Sequence, residues 1–476
     1  MSTATHTEAE PSLERPSWRR WWHPAVGAFV VAFAGALAVG LLQGVRPFYG
    51  DSEGYWLLSQ SFIVSGHFSL LNFVSTQRGY FLPLIIYGLR PFAGGTFHGE
   101  SIAITVFNSA LFALIGAVLV PRLAELAWPK HSWGFLRRIA AVALLLICWG
   151  GDLNYPLTDI PGLAMGMLAV IAIGQVDKPG WMLLAGMTAA AAIDLRPAYL
   201  PLLPALVVVL ALTWFHQRGA PHASLARRAL CTSLLVVGFM LVSLPQSLSA
   251  HRFFNTWNPI PGASVHLAAE VYTQGMEAQR WDSYERPVGT FNAISYHYPS
   301  AKRLLDEQPE QKIKSLSQYI GIVVSHPSIM VPLIIRHFIN GLDVRYNTIY
   351  VENRASGGRL WLRVAGFMLV FLALVRLFWP AARRSLGRAR WRYPVALSAC
   401  YVSSLASVSE TRYMLPIEMI VYALVLAPGW PKPIDPHEAG FRRFATLAIL
   451  AVAGLAFTAF IWHMVGGITT STVFPV

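Results

Sequence analysis

The chain has 476 residues, of which 55% are hydrophobic and only 13% charged, with 37 Lys and Arg against 24 Asp and Glu for a formal net charge of +13. That balance excludes an ordinary soluble globular protein, which carries roughly 25% charged residues and shorter apolar stretches. The basic excess does not mark a nucleic-acid binder, because it is broken into short clusters between apolar runs, where membrane-orientation signals belong.

Eleven apolar runs approach the length needed to cross ~30 Å of hydrocarbon. They lie at roughly 25–45, 101–121, 138–151, 157–175, 180–194, 197–215, 229–248, 358–379, 393–409, 412–429 and 443–465. The first follows a polar tail with Arg15, Arg19 and Arg20 and is too long for a cleaved signal sequence. It reads as a signal anchor with a cytoplasmic N-terminus. Counting forward, the basic residues Arg122, Lys130, Arg137, Arg138, Lys178, Arg218, Arg227, Arg228, Arg383, Arg384, Arg388, Arg390, Arg392, Lys432, Arg442 and Arg443 all fall on the cytoplasmic side.

Two long segments, 46–100 and 249–357, then fall outside. The first holds the amphipathic stretch YWLLSQSFIVSGHFSLL, expected to lie in the interface. The second holds the apolar stretch Tyr319–Gly341. A crossing there would invert everything downstream, so it reads as an interfacial or re-entrant helix pair. The expected fold is an all-α polytopic membrane protein of about 11 transmembrane helices. It divides into an N-terminal membrane module (1–248), an external subdomain (249–357) and a C-terminal membrane module (358–476). Cys148, Cys231 and Cys400 each lie within an apolar run and read as small buried hydrophobes.

Ionisable residues collect at the external ends of the runs: Asp51 and Glu53, Asp152 and Asp159, Asp194 and Arg196, Glu410 and Arg412, with His326, Arg336 and His337 in the long loop. Charges this near hydrocarbon are costly unless paired or facing water, so they are expected to meet in a polar cavity opening outward. Arginine forks bind phosphate oxygens bidentately, and carboxylates serve as general bases or hold a divalent ion. Beside a membrane, this chemistry fits group transfer from a lipid-linked phosphate. No nucleotide-binding glycine loop or HExxH occurs.

With these residues in view, the chain resembles the GT-C superfamily of membrane glycosyltransferases, and within it the bacterial group similar to protein mannosyltransferases and aminoarabinose transferases. The likeness rests on GDSEGYWLLSQSFIVSGHFSL followed by RGYFLPLIIYGL, then YPLTDIPGLAM, RPAYLPLLP and ETRYMLP, in that order. It covers most of the first 250 residues and the region near 410; the long external loop supports no close comparison. Many relatives have adjacent acids before the tyrosine, whereas here Asp51 is followed by Ser52 and Glu53 is displaced by one.

The resemblance implies a polyprenyl-phosphate sugar donor, an unidentified glycan, lipid or protein acceptor, and inverting displacement at the external (periplasmic) face of the plasma (inner) membrane. By that resemblance Asp51 takes the base role, with Asp159 and then Glu53 as further catalytic acids. Arg196, Arg412, Arg336 and His337 are the candidates for the donor phosphate, and Tyr55, Trp56, Tyr413 and Glu410 for substrate or interface contact. A divalent cation, Mg or Mn, is left open, with Asp51 and Asp159 as its candidate ligands. The competing readings are a transporter or flippase of lipid-linked sugars and an O-antigen polymerase or ligase type of enzyme. Midplane charges and paired halves, the mark of a transporter, are lacking in the sequence.

Overall fold

The computed structural model describes residues 18–475 except 76, 130–131, 217–223, 261–264, 285–291, 352–358, 381–389, 408, 429–438 and 466–470. Several charges used to orient the chain (Arg15, Lys130, Arg218, Arg383, Arg384, Arg388 and Lys432) lie outside these residues. The protein is a helical, multi-pass membrane protein. The membrane helices of the N-terminal half are α1 (Trp18–Leu42), α4 (Phe97–Ala113) continuing through a π-helical stretch into α5 (Val120–Ala127), α6 (Phe135–Trp149), α7 (Asp159–Ile173), α8 (Pro179–Leu195), α9 (Leu202–His216) and α10 (Leu225–Phe254). Two short helices, α2 (Gly50–Leu58) and α3 (Phe81–Leu89), fill the loop after α1.

Five stretches are long and apolar enough to cross a membrane: Pro24–Leu42, His98–Ala127, Pro197–Phe215, Leu225–Phe254 and Leu360–Phe378. All eleven predicted runs fall on helix; five of the other six are shorter or interrupted, and the last lies on the 27-residue helix Ala439–Val465. α7 and α8 have 15 and 17 residues, and the run near 400 breaks into 3-10 turns between Arg392–Ser398 and Val402–Leu405. Among the described residues, length and composition thus mark five full spans, or six if the bent pair Leu316–Ser325 and Pro327–Gly341 is one span; they do not establish the expected eleven.

The N-terminal bundle is drawn together by small residues. α8 and α10 touch where Gly186 faces the Leu235 carbonyl and Gly238 faces the Leu183 carbonyl; a Cβ on either glycine would strike the opposite backbone. Such close approach is how membrane helices associate without a hydrophobic driving force. α7 is buried along nearly its whole length, and α8 packs between it and α10. Arg138, expected to mark the cytoplasmic surface, is instead fully buried. It donates to the carbonyls of Ala117 (2.7 Å) and Trp133 (3.1 Å) and pairs with Glu125 at 3.4 Å.

The amphipathic stretch that begins at Tyr55 is helical only as far as Leu58. Ser65 and Gly66 both take positive φ, at 52° and 80°. They turn the chain into a small hairpin of β1 (Ile63–Val64) and β2 (His67–Phe68), because left-handed turn residues match strand twist and break a helix.

The segment expected to lie outside, 249–357, is not purely helical. It contains α11 (Val265–Glu277), α12 (Pro299–Asp306), α13 (Leu316–Ser325) and α14 (Pro327–Gly341), and α15 (Leu360–Phe378) then re-enters the membrane module. Against them lies a four-stranded sheet ordered β5–β3–β4–β6, made of β3 (Ala278–Tyr284), β4 (Asn292–His297), β5 (Tyr350–Val351) and β6 (Ser471–Pro475). β3 pairs antiparallel with β4 and parallel with β5. α13 and α14 meet at a bend of 117°, so Tyr319–Gly341 is a broken helix pair rather than a straight crossing. A small core around Met276, Leu304, Tyr319 and Leu333 holds this subdomain together.

Candidate functional site

Four turns distant in sequence meet at one end of the bundle. Asp51 lies in the first turn of α2, where a carboxylate complements the exposed N–H groups of the helix. Asp159 opens α7. Arg196 follows α8 in an extended conformation, which the next residue, Pro197, favours. Arg412 sits in the 3-10 turn Thr411–Met414.

Their side chains form one ion-pair network. Asp51 Oδ1 lies 2.7 Å from Arg78 Nη2, and Asp51 Oδ2 lies 3.4 Å from Arg412 Nη1. Arg412 Nη1 also stands 3.7 Å from Asp159 Oδ2, while its Nε pairs with Glu410. Arg196 pairs with Asp159 and stacks over the Tyr413 ring at 4.4 Å. Three carboxylates therefore meet three guanidiniums, with no surplus of either sign.

The network is graded in exposure. Asp159 is buried and the Arg412 side chain is 12% exposed, whereas the Asp51 side chain is 39% exposed. Burial pushes the Asp51 carboxyl up, but Arg412 and Arg78 together outweigh it and hold the group below its ordinary range. Burial likewise disfavours the Arg412 cation, and Glu410, Tyr413 and Asp51 reverse that effect, holding it well above its usual value.

Arg78 is the residue sequence reasoning missed. It was visible in RGYFLPLIIYGL, but its partner is 27 positions away across a loop with no periodicity. Its guanidinium donates to the Asp51 carbonyl as well (3.2 Å) and covers the Tyr55 ring at 4.6 Å. A Cβ at Gly54 would run into it, so the glycine makes room for this arginine. Arg78 also lines an open groove of about 430 Å³, with Gly54, Leu58, Val74, Ser75, Gln77 and Phe254. The groove joins an arginine and small polar groups to apolar walls.

Other predicted residues stand apart. Trp56 is buried, packed on Phe48 at 5.4 Å and covered by Arg90 at 4.5 Å, so it belongs to the core and not to a substrate surface. Glu53 makes no ion pair with any described residue. Arg336 donates to Gln279 (3.2 Å) and covers Tyr298. His337 is buried between the carbonyls of Leu405 (3.1 Å) and Ala278 (3.0 Å). Arg336 thus acts inside the 249–357 subdomain, and His337 ties that subdomain to the turn at Leu405.

Asp152 is buried beside the network without joining it. Its Oδ1 accepts from the Ile349 N–H at 3.0 Å, and burial pushes its pKa up to about 7. Asp194 Oδ2 accepts from the Phe81 N–H at 2.8 Å and so caps α3. Within the bundle, Glu418 accepts from Trp149 Nε1 (2.7 Å) and the Tyr422 hydroxyl (3.1 Å), a buried acid that sequence reasoning also missed.

The proposed metal ligands do not fit a divalent ion in this arrangement. Arg412 stands between Asp51 and Asp159, and no group of three His, Cys, Asp or Glu among the described residues is placed to hold one.

No protein-family model matches the chain, and no curated protein matches it. Among solved structures, the archaeal oligosaccharyltransferase AglB from Archaeoglobus fulgidus, in complex with an inhibitory peptide and a dolichol-phosphate, is similar at a TM-score of 0.44 and 13% sequence identity. The match covers 94% of this chain and 56% of that one, so this chain spans little more than half of its neighbour's length.

Proposed function

We propose that this protein is a membrane glycosyltransferase that moves a sugar from a polyprenyl-phosphate donor to an acceptor hydroxyl at the outer end of its helical bundle, with Asp51 as the base. One observation carries the reading: a partly exposed carboxylate tied to two arginines, one of which lines an apolar-walled groove while the other leads to the buried Asp159 and its partner Arg196. The order of sequence motifs supports it independently.

In this reading the prenyl chain lies along the apolar walls of the groove, and the phosphate meets Arg78. The acceptor oxygen attacks the anomeric carbon as the bond from that carbon to the phosphate oxygen breaks. The bonding pair leaves with the phosphate, and the hydroxyl proton passes to Asp51. A low-lying carboxylate is a weak base in the ground state, but the attacking hydroxyl becomes acidic only as the new bond forms, so the transfer comes late.

The charge balance gives the arginines a second role. Once Asp51 takes the proton it holds Arg78 and Arg412 less strongly. At that moment the departing polyprenyl phosphate gains a negative charge, and the released guanidiniums are placed to meet it. Proton uptake and leaving-group stabilisation are thus coupled through the same two ion pairs. Arg196, locked to Asp159 and stacked on Tyr413, keeps Arg412 facing outward.

The test is transfer by purified protein in detergent from a panel of radiolabelled polyprenyl-phosphate sugars, with membrane extract supplying acceptors. A labelled glycosidic product supports the reading. Uptake of label into proteoliposomes with no new product favours transport and overturns it.

A further inference from the structure

Arg412 touches carboxylates on three sides, yet its own four-residue turn does little to fix it. Its position is set from the external subdomain. The Trp281 N–H donates to the Ser409 carbonyl at 2.9 Å, and Ser409 Oγ donates to the His337 carbonyl at 2.7 Å. Arg280 Nη2 donates to Thr411 Oγ1 at 3.3 Å. Arg280 is itself buried: its Nε donates to Asp282 (2.9 Å) and its Nη1 to the carbonyls of Asn340 (2.9 Å) and Asp343 (3.0 Å). The Asp343 carboxylate binds Arg345 and Arg363 as well, at 2.7 and 2.8 Å. Removing one member of such a buried set leaves an uncompensated charge, so the set resists displacement.

The same sheet reaches Asp51. β5 pairs with β3 through Ser283 with Tyr350 and Tyr284 with Val351. The Tyr350 hydroxyl donates to the Tyr49 carbonyl (2.9 Å) and accepts from the Ser52 N–H (3.3 Å), gripping the start of the Asp51 helix on both sides. Just before it, the Asn347 carbonyl accepts from the Gly151 N–H at 2.8 Å.

We propose that the outer sheet is a frame that sets the separation of Asp51 and Arg412, with Tyr350 and Arg280 as its positioning residues: β5 carries the Asp51 helix and β3 carries the Arg412 turn. Neither residue touches the reacting atoms. The inference rests on the reading of Asp51 and Arg412 as the transfer site.

The test uses Tyr350→Phe and Thr411→Val, each removing one hydroxyl from the frame, with Arg280→Lys as the conservative comparison. In the full-length protein, kcat is expected to fall about 10- to 100-fold, with donor KM unchanged within about twofold, as for a misplacement of ~1 Å. The acid limb of kcat/KM is expected to move to higher pH in Thr411→Val, because Arg412 slips from Asp51. The other charged or titratable groups around Asp51 are Arg78, Arg196, Tyr55, Tyr350 and Tyr413, with Asp159 and Glu410 across Arg412; the substitution leaves their identities unchanged. A residue that only aids folding would lower the active fraction and leave that limb in place. Hydrogen–deuterium exchange supplies a readout independent of turnover: Thr411→Val is expected to raise exchange at 409–414 and Tyr350→Phe at 49–53. Unchanged exchange in those peptides, or an unmoved acid limb in an active Thr411→Val enzyme, overturns the frame. Absence of transfer by the wild type defeats the functional reading instead, and exchange then decides the frame alone.

Discussion

Replacing Asp51 by Asn separates folding from chemistry, because the structure assigns very different magnitudes to the two. The Asp51 side chain is 39% exposed and its partner Arg78 22% exposed. Ion pairs so near solvent contribute about 0–1 kcal/mol, and the asparagine carbonyl still accepts from Arg78. The unfolding free energy is therefore expected to change by no more than ~1 kcal/mol. Loss of a general base costs about 10²–10⁴ in rate, equivalent to roughly 3–5 kcal/mol at the transition state. The assay is single-turnover transfer from a labelled polyprenyl-phosphate sugar, run beside a thermal-shift measurement in the same detergent. A variant that folds normally and keeps more than about a tenth of wild-type rate would refute the assignment. The pH profile gives a second check. The carboxyl is held below its ordinary range, so its charged form persists as pH falls, and base function is lost only on passing through that lowered value. The wild-type rate should therefore show no acid limb between about pH 5 and pH 8.

Gly54→Ala should fold as well as wild type, since an alanine in a helix gains about 0.5–1 kcal/mol over glycine, but it displaces the Arg78 guanidinium; donor KM should rise severalfold in steady-state kinetics. Asp152→Asn should stabilise the protein increasingly with pH. The folded-state carboxyl lies at about 7 against an ordinary 3.8, so the unfolded chain sheds its proton first and wild-type stability falls as pH rises through that window; thermal midpoints measured from about pH 5 to about pH 8 should diverge in the variant's favour. Arg336→Ala, which removes a contact to Gln279 inside the subdomain, should leave the transfer rate within about twofold, and a loss as large as that of Asp51→Asn would redraw the site.

Much of the site was legible because polar residues at the ends of apolar runs have few places to go. Asp51, Asp159, Arg196, Glu410 and Arg412 were each marked by depth alone, and depth is read from hydropathy. Position around the bundle is not. Arg336 and His337 share that depth, but the break between α13 and α14 turns them toward Gln279 and Ala278. Arg78 was hidden because a loop carries no period from which to infer its direction. The sheet was hidden for a related reason: β5 has only two residues, and the strand AQRWDSY buries Arg280 against carbonyls some 60 positions away. Trp56 was misread because an aromatic beside a membrane run looks the same in sequence whether it faces lipid or packs on Phe48.

The seam between α8 and α10 bears on how the protein is made. α7 and α8 emerge early from the ribosome, but at 15 and 17 residues they are short for a bilayer, and α8 is rich in alanine. The surface that α8 needs, the backbone around Leu235 and Phe239, is synthesised some 50 residues later. During that interval the two helices have no complete partner, so the insertion machinery must retain them rather than release them singly into lipid. Crosslinks from α8 to the insertion machinery should therefore persist in nascent chains truncated before α10 and be lost in those extended past residue 254.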